Sequence, residues 1–149
     1  MMRLLFVCHG NICRSPMAEF VMKDLVQKAG RADDIQVESA ALHTDEIGSD
    51  IHPGTRGELV KHQIPFSPRQ AWLLTEKSAA DYDLILAMDD ANMSDLLRLL
   101  DRGTFDAKVR KLLSFVGETR DVADPWYTGD FETTYSDVVA GCTALLKTL

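Results

Sequence analysis

The chain has 149 residues, with 23 acidic against 16 basic side chains and a net charge of −7. That length fits one domain whose core needs no disulfide or metal staple, and the acidic balance argues against a nucleic-acid or anionic-membrane partner. Three cysteines cannot all pair, and they match neither a zinc-ligand spacing nor a secreted disulfide framework, so a reducing cytoplasm is expected.

Met1-Met2-Arg3 is followed by only five apolar residues before His9, too few for a signal-peptide core or a membrane span. Arg3 to Cys8 reads as a central strand buried on both faces. The character of the chain then changes. Cys8-His9-Gly10-Asn11-Ile12-Cys13-Arg14 has the length of a tight loop whose N–H groups turn inward, and Ser15-Pro16 reads as a helix start with Ser15 as its cap. Gly10 and Asn11 take left-handed backbone angles most readily, as such a loop requires. A helix N-terminus favours a dianionic phosphate, and the same field stabilises a thiolate at Cys8. Arg14 offers a planar fork matched to two phosphate oxygens. Together these features make an anion cradle around a nucleophile. His9 reads as a variable loop position, not as a catalytic base.

Met17, Phe20, Val21, Leu25 and Val26 recur at helical spacing, and Ala29-Gly30 gives the stop. Ile35 to Ala40 reads as a second strand, delivering Ser39 to the same end of the sheet as Cys8. Residues 41–55 carry turn formers and no periodicity, which predicts a loop overhanging the pocket. Arg56 to Gln63 reads as a short helix, Arg69 as a surface cation, and Trp72, Leu73 and Leu74 as core contacts. Asp83 to Met88 is a third strand, followed by an Asp89-Asp90 helix start and a helix from Asn92 to Leu100 with Met93, Leu96, Leu97 and Leu100 as its core stripe. Val109 to Val116 reads as the fourth strand. A polar connection, Gly117 to Asp121, leads into Val122-Ala123-Asp124-Pro125, and Phe131 to Leu149 is a closing helix with Cys142 on its apolar stripe. No repeat or linker divides the chain, so residues 1–149 are expected to form a single α/β domain with a parallel sheet and right-handed crossovers. Open sheets of this kind bind ligands outside the carboxyl ends of their strands, where Cys8 falls.

Cleaving a phosphate ester with a thiolate requires a proton for the leaving oxygen. Asp124 is the candidate donor, because Pro125 biases it to an extended geometry. Trp126 and Tyr127 read as flanks of the entrance that stack on an aryl group. The helix terminus and Arg14 supply positive charge, so neither metal nor cofactor is expected.

Val7-Cys8-His9-Gly10-Asn11-Ile12-Cys13-Arg14-Ser15-Pro16 resembles the signature of the low-molecular-weight protein tyrosine phosphatases. Ser39-Ala40-Ala41, Ser67-Pro68-Arg69-Gln70, Met88-Asp89-Asp90-Ala91-Asn92 and Asp124-Pro125-Trp126-Tyr127 resemble further segments of that family. The resemblance implies four parallel strands with helices on both faces. It implies hydrolysis of phosphotyrosine through a phosphocysteine on Cys8, with Arg14 binding phosphate and Asp124 as general acid and base. His9, Gly10, Asn11, Ile12, Cys13 and Ser15 would form the phosphate loop, with Ser39 holding Asn11. A reversible Cys8–Cys13 disulfide is implied as well, as are a monomeric state and a phosphotyrosine protein as substrate, with a cognate tyrosine kinase as one candidate.

Two departures stand out. Relatives place an aromatic wall near Glu46, where this chain has Thr44-Asp45-Glu46-Ile47-Gly48, so the lip is acidic and a preference for neutral or basic peptide contexts is expected. Trp126 stands where many relatives have tyrosine. Three alternatives are set against the main reading. An arsenate reductase of the same loop needs relay cysteines, but only Cys13 and Cys142 remain. An arginine phosphatase tends to carry threonine where this loop has Ile12. A silent phosphoprotein-binding module usually loses the nucleophile or the acid, and both are present.

Overall fold

The computed structural model describes residues 1–149. β1 (Met2–Cys8) is flanked by β2 (Ile35–Ala41) and β3 (Leu84–Ala87), and β4 (Val109–Lys111) completes an all-parallel sheet of order β2-β1-β3-β4. Cys8 pairs with Ala41 and Val7 with Ala87, so the three longer strands end level with one another.

The pleat sends alternate residues of β1 to opposite faces. Leu4, Phe6 and Cys8 pack with Met17 and Val21 of α1 (Arg14–Lys28) and with Val138 and Cys142 of α7 (Phe131–Lys147). Leu5 and Val7 pack with Ala79 of α3 (Glu76–Ala79) and Leu96 of α4 (Asp90–Leu99). Helices therefore cover both faces, which is why β1 reads as an unbroken apolar run. Truncating Phe6, which is wholly buried, removes a contact worth about 3–5 kcal/mol.

Several boundaries differ from the sequence expectation. The helix expected from Arg56 is α2 (Pro53–Lys61), which starts earlier because the His52 ring accepts the Gly54 N–H at 2.9 Å and Pro53 takes the first helical position. Gly54 is required there: a Cβ would lie 2.4 Å from the Phe131 ring. Leu73 and Leu97 are 36% and 43% exposed and leave the core, whereas Trp72, Leu74, Met93, Leu96 and Leu100 join it. The fourth strand is only three residues long and passes into a 3-10 turn, Leu112–Val116. β4 has a partner on one side only, and Leu112 instead packs against α7, where a Cβ on Gly141 would fall 2.5 Å from it. α5 (Arg102–Lys108) was not anticipated; it buries no residue, so it has no stripe to read, and its cap is Asp101 accepting the Thr104 N–H at 2.9 Å. A short α6 (Pro125–Thr128) follows Asp124. No helix is long and apolar enough to cross a membrane.

Candidate active site

The buried β1 ends at Cys8, and α1 begins six residues later at Arg14. Between them Asn11 adopts φ 59°, a left-handed angle that asparagine tolerates better than most side chains. The wholly buried Asn11 amide is fully used: Nδ2 donates to Ser15 Oγ at 2.8 Å and to Ser39 Oγ at 2.9 Å, and Oδ1 accepts from the Arg69 guanidinium. Ser39 in turn donates to Glu19 Oε1 at 2.6 Å. Ser39 thus makes the contact with Asn11 that the resemblance implied.

Arg69 is not the surface cation that was expected. Residues 69–71 run under the loop, with the Ala71 N–H donating to Ser49 O at 2.8 Å, and this brings the Arg69 side chain to Asn11 and to Ser49 O. Desolvation lowers its pKa, offset in part by Glu19 and Asp50.

Ser15 lies inside the first turn of α1. Cys13 is the N-cap and makes no side-chain capping bond, so the expected cap is not formed. Ser15 instead faces Cys8: Cys8 Sγ lies 3.0 Å from Ser15 Oγ and accepts the Ser15 N–H at 3.4 Å. None of the N–H groups of Gly10 to Arg14 donates to another backbone group. They remain free for an anion beside the positive end of α1.

Arg14 is 2% exposed; Nη1 donates to Asp89 Oδ2 at 2.7 Å and Val122 O at 2.9 Å, and Nη2 lies 3.4 Å from Asp124 Oδ2. Burial works against its charge, but Cys8 and Asp89 outweigh that and hold its pKa above the ordinary value. Asp89 was read only as a helix start. It does cap α4, accepting the Asn92 N–H at 2.7 Å, but its other oxygen orients Arg14. The Met88-Asp89-Asp90-Ala91-Asn92 segment was the signal that could have assigned this second role.

Asp124 keeps the extended backbone expected before proline, with φ −80° and ψ 112°, and caps α6 by accepting the Trp126 N–H at 3.1 Å. Cys8, Arg14, Ile12 and Asp124 line one cleft of about 590 Å³ whose mouth carries the exposed Trp126 and Tyr127. The opposite lip holds Asp45 and Glu46, as expected. His9 faces this lip. It stacks on His43 at 4.0 Å between centroids and bonds Asp45 at 2.6 Å, while His43 bonds Asp95 at 2.8 Å. The His9 hydrogen bond holds the Asp45 carboxyl below the usual range. Cys13 is buried, and desolvation followed by the charge of Cys8 pushes it up to about 12. No group of three or more His, Cys, Asp or Glu side chains is arranged to hold a metal ion.

Residues 3–149 match the family model described as low molecular weight phosphotyrosine protein phosphatase. The low molecular weight protein-tyrosine-phosphatase YfkJ of Bacillus subtilis is 38% identical over the whole chain and 96% of its own length. Its crystal structure superposes with a TM-score of 0.94, covering 99% of this chain and 94% of that one. A low molecular weight protein tyrosine phosphatase from Streptococcus pyogenes gives a TM-score of 0.89 at 39% identity, covering 100% of this chain and 93% of its own. A Drosophila arginine phosphatase gives 0.89 at 28% identity, covering 99% and 97%. The chain belongs to the low molecular weight phosphotyrosine protein phosphatase family.

Proposed function

We propose that the protein hydrolyses phosphotyrosine in protein substrates by way of a phosphocysteine on Cys8. The observation that carries this reading is that Cys8, Arg14 and Asp124 line one cleft, with the buried Ser15 bonded to Cys8. The Cys8 thiolate attacks phosphorus as the bond to the phenolic oxygen breaks, and Asp124 gives its proton to that oxygen. Arg14 and the free loop N–H groups hold the equatorial oxygens, where charge is concentrated. In the second step water attacks phosphorus, Asp124 takes the proton, and the sulfur leaves as a thiolate that Ser15 stabilises through both its N–H and its hydroxyl. Asn11 keeps the loop in its left-handed turn throughout. His9 contributes its backbone to the loop, and its ring belongs to the lip. The residues supply the positive charge themselves, so activity is expected in the presence of a chelator.

Trp126 and Tyr127 lie at the mouth, placed to stack on the ring of the substrate. Asp45 and Glu46 disfavour acidic residues beside the phosphotyrosine, so neutral or basic contexts are preferred. Under peroxide Cys8 becomes a sulfenic acid, which the Cys13 thiol converts to a disulfide; the high pKa of Cys13 makes this closure slow at neutral pH. A monomeric, single-domain enzyme of the cytoplasm, acting on a phosphotyrosine protein such as a kinase, fits this chemistry. The likeness to the Drosophila arginine phosphatase supports a second reading, phosphoarginine hydrolysis on the same floor. Ile12 in the cleft and the aromatic mouth favour tyrosine over it.

Wild type and Cys8→Ser are compared on phosphotyrosine, phosphoserine and phosphoarginine peptides with chelator present. Turnover of phosphotyrosine that vanishes in Cys8→Ser is expected. Turnover of phosphoarginine alone moves the assignment to the second reading, and silence on all three contradicts both.

A further inference from the structure

We infer that Lys111 is a positioning residue for the acid at Asp124, a role that rests on the phosphatase reading above. Between Thr119 and Asp124 the one backbone N–H that donates to another backbone group is that of Val122, which reaches Met88 O at 2.9 Å. This segment has no ladder to hold it, so side chains fix where it lies.

Lys111, the last residue of β4, supplies an anchor; its side chain is 12% exposed, while its partners Asp121 and Asp90 are 45% and 81% exposed. All three ammonium protons are used, with Nζ donating to Thr119 O at 2.7 Å, Asp121 Oδ1 at 2.7 Å and Asp90 Oδ1 at 2.9 Å. The same Asp121 oxygen accepts the Asp90 N–H at 3.0 Å. Desolvation opposes the charge on Lys111, but the bonds to Asp121 and Asp90 outweigh it and hold its pKa above the ordinary value. Arg120 ties the same segment to α7 through Asp137 at 2.8 and 3.0 Å, with side chains 54% and 11% exposed, but it bonds neither Asp90 nor Asp121.

The two segments that Lys111 joins are the two that grip Arg14. Asp90 follows Asp89, which accepts from Arg14; Asp121 precedes the wholly buried Val122, whose carbonyl also accepts from Arg14. Asp124 stands two residues beyond Val122. Lys111 therefore sets the reach of the carboxyl over the cleft while touching neither the nucleophile nor the phosphate. Releasing it lets Asp124 wander from the leaving oxygen, whereas Arg14 keeps its grip because Asp89 stays fixed at the Asn92 N–H and Val122 stays bonded to Met88 O.

That division has a kinetic signature. A general acid matters most when the leaving group is a poor one, and kcat/KM covers the step in which the leaving group departs. Phenol, with a pKa near that of tyrosine, about 10, needs the proton; 4-nitrophenol, a much stronger acid, leaves with little help. In Lys111→Met, kcat/KM on phenyl phosphate should fall about tenfold and on 4-nitrophenyl phosphate less than about threefold, with competitive inhibition by inorganic phosphate unchanged and Lys111→Arg recovering most of the loss. Equal losses on the two esters, no loss on either, or weakened inhibition by phosphate would overturn the inference. Should Lys111→Met not fold, Asp121→Asn decides by the same ratio of losses, in the same direction and smaller. Absence of wild-type turnover on both esters overturns the phosphatase reading instead.

Discussion

At the floor of the cleft Cys8, Asn11, Arg14 and Ser15 are each at most 3% exposed, whereas at the mouth Trp126 and Tyr127 are 58% and 85% exposed. Each floor residue holds another: Asn11 is bonded to Ser15, Ser39 and Arg69, and Arg14 to Asp89 and Val122. The lip is held by side-chain pairs more open to solvent, the exposed His9 with Asp45 and the partly buried His43 with Asp95. Buried polar networks are costly unless every member is satisfied, so the floor tolerates little change. Solvent screens the lip, so the lip can vary and tune which peptide is accepted. On the proposed function, chemistry and selection then lie on structures of different stiffness.

The sharpest break of this contrast is Arg14→Lys. Lysine cannot span Asp89, Val122 O and a phosphate at once, and a disrupted buried ion pair costs about 3–5 kcal/mol. A fall in kcat/KM of about a hundredfold or more is expected, with inhibition by inorganic phosphate weakened as well. Asn11→Ala comes next: it leaves the Arg69 guanidinium and the Ser15 and Ser39 hydroxyls short of a partner and strains a left-handed position. A stability loss of about 2 kcal/mol is expected in denaturant unfolding, together with reduced kcat.

Within the floor, alkylation at neutral pH should reach Cys8 alone. Cys13, pushed up to about 12 from 9.0, stays a thiol, so mass spectrometry after iodoacetate treatment should find Cys8 modified and Cys13 untouched. The sign for stability follows from the same shift. The buried neutral thiol contributes fully below pH 9.0, and the contribution is lost as pH rises from there towards about 12, because the unfolded chain ionises first.

At the rim the effects shrink. Trp126→Ala removes one exposed aromatic face, and KM should rise about fivefold, on the order of 1 kcal/mol, with kcat little changed. Asp45→Asn should narrow the preference for basic over acidic phosphotyrosine peptides about twofold, and high salt should narrow it equally in the wild type.

The strand–loop–helix turn from Cys8 to Arg14 was legible because its cues are local: a strand, a cysteine, a Gly-Asn turn, an arginine and a helix start within a few residues. The extended backbone of Asp124 was legible for the same reason, through its proline. Arg69, Asp89 and Lys111 were not assigned their roles, because what each side chain does depends on a partner brought close by the sheet. Arg69 and Asn11 are 58 positions apart and Arg14 and Asp89 are 75 apart, and a spacing argument cannot see such pairs. The fourth strand was expected but drawn too long, because the apolar residues of 109–116 do not reveal that only one neighbour is present. α5 was missed because only Phe105 of it packs on the core, and one residue makes no apolar stripe.

The most direct measurement of the central claim is rapid acid quenching of Asp124→Asn during turnover of an aryl phosphate, followed by mass spectrometry of the peptide that contains Cys8. Asparagine can neither protonate the leaving group nor activate water, so both steps slow. With a nitrophenyl ester the first step should outrun the second. The expected result is a burst of nitrophenol equal to the amount of enzyme and one phosphoryl group on Cys8. Phosphoryl on another residue, or turnover with no covalent adduct at any time, would contradict the account.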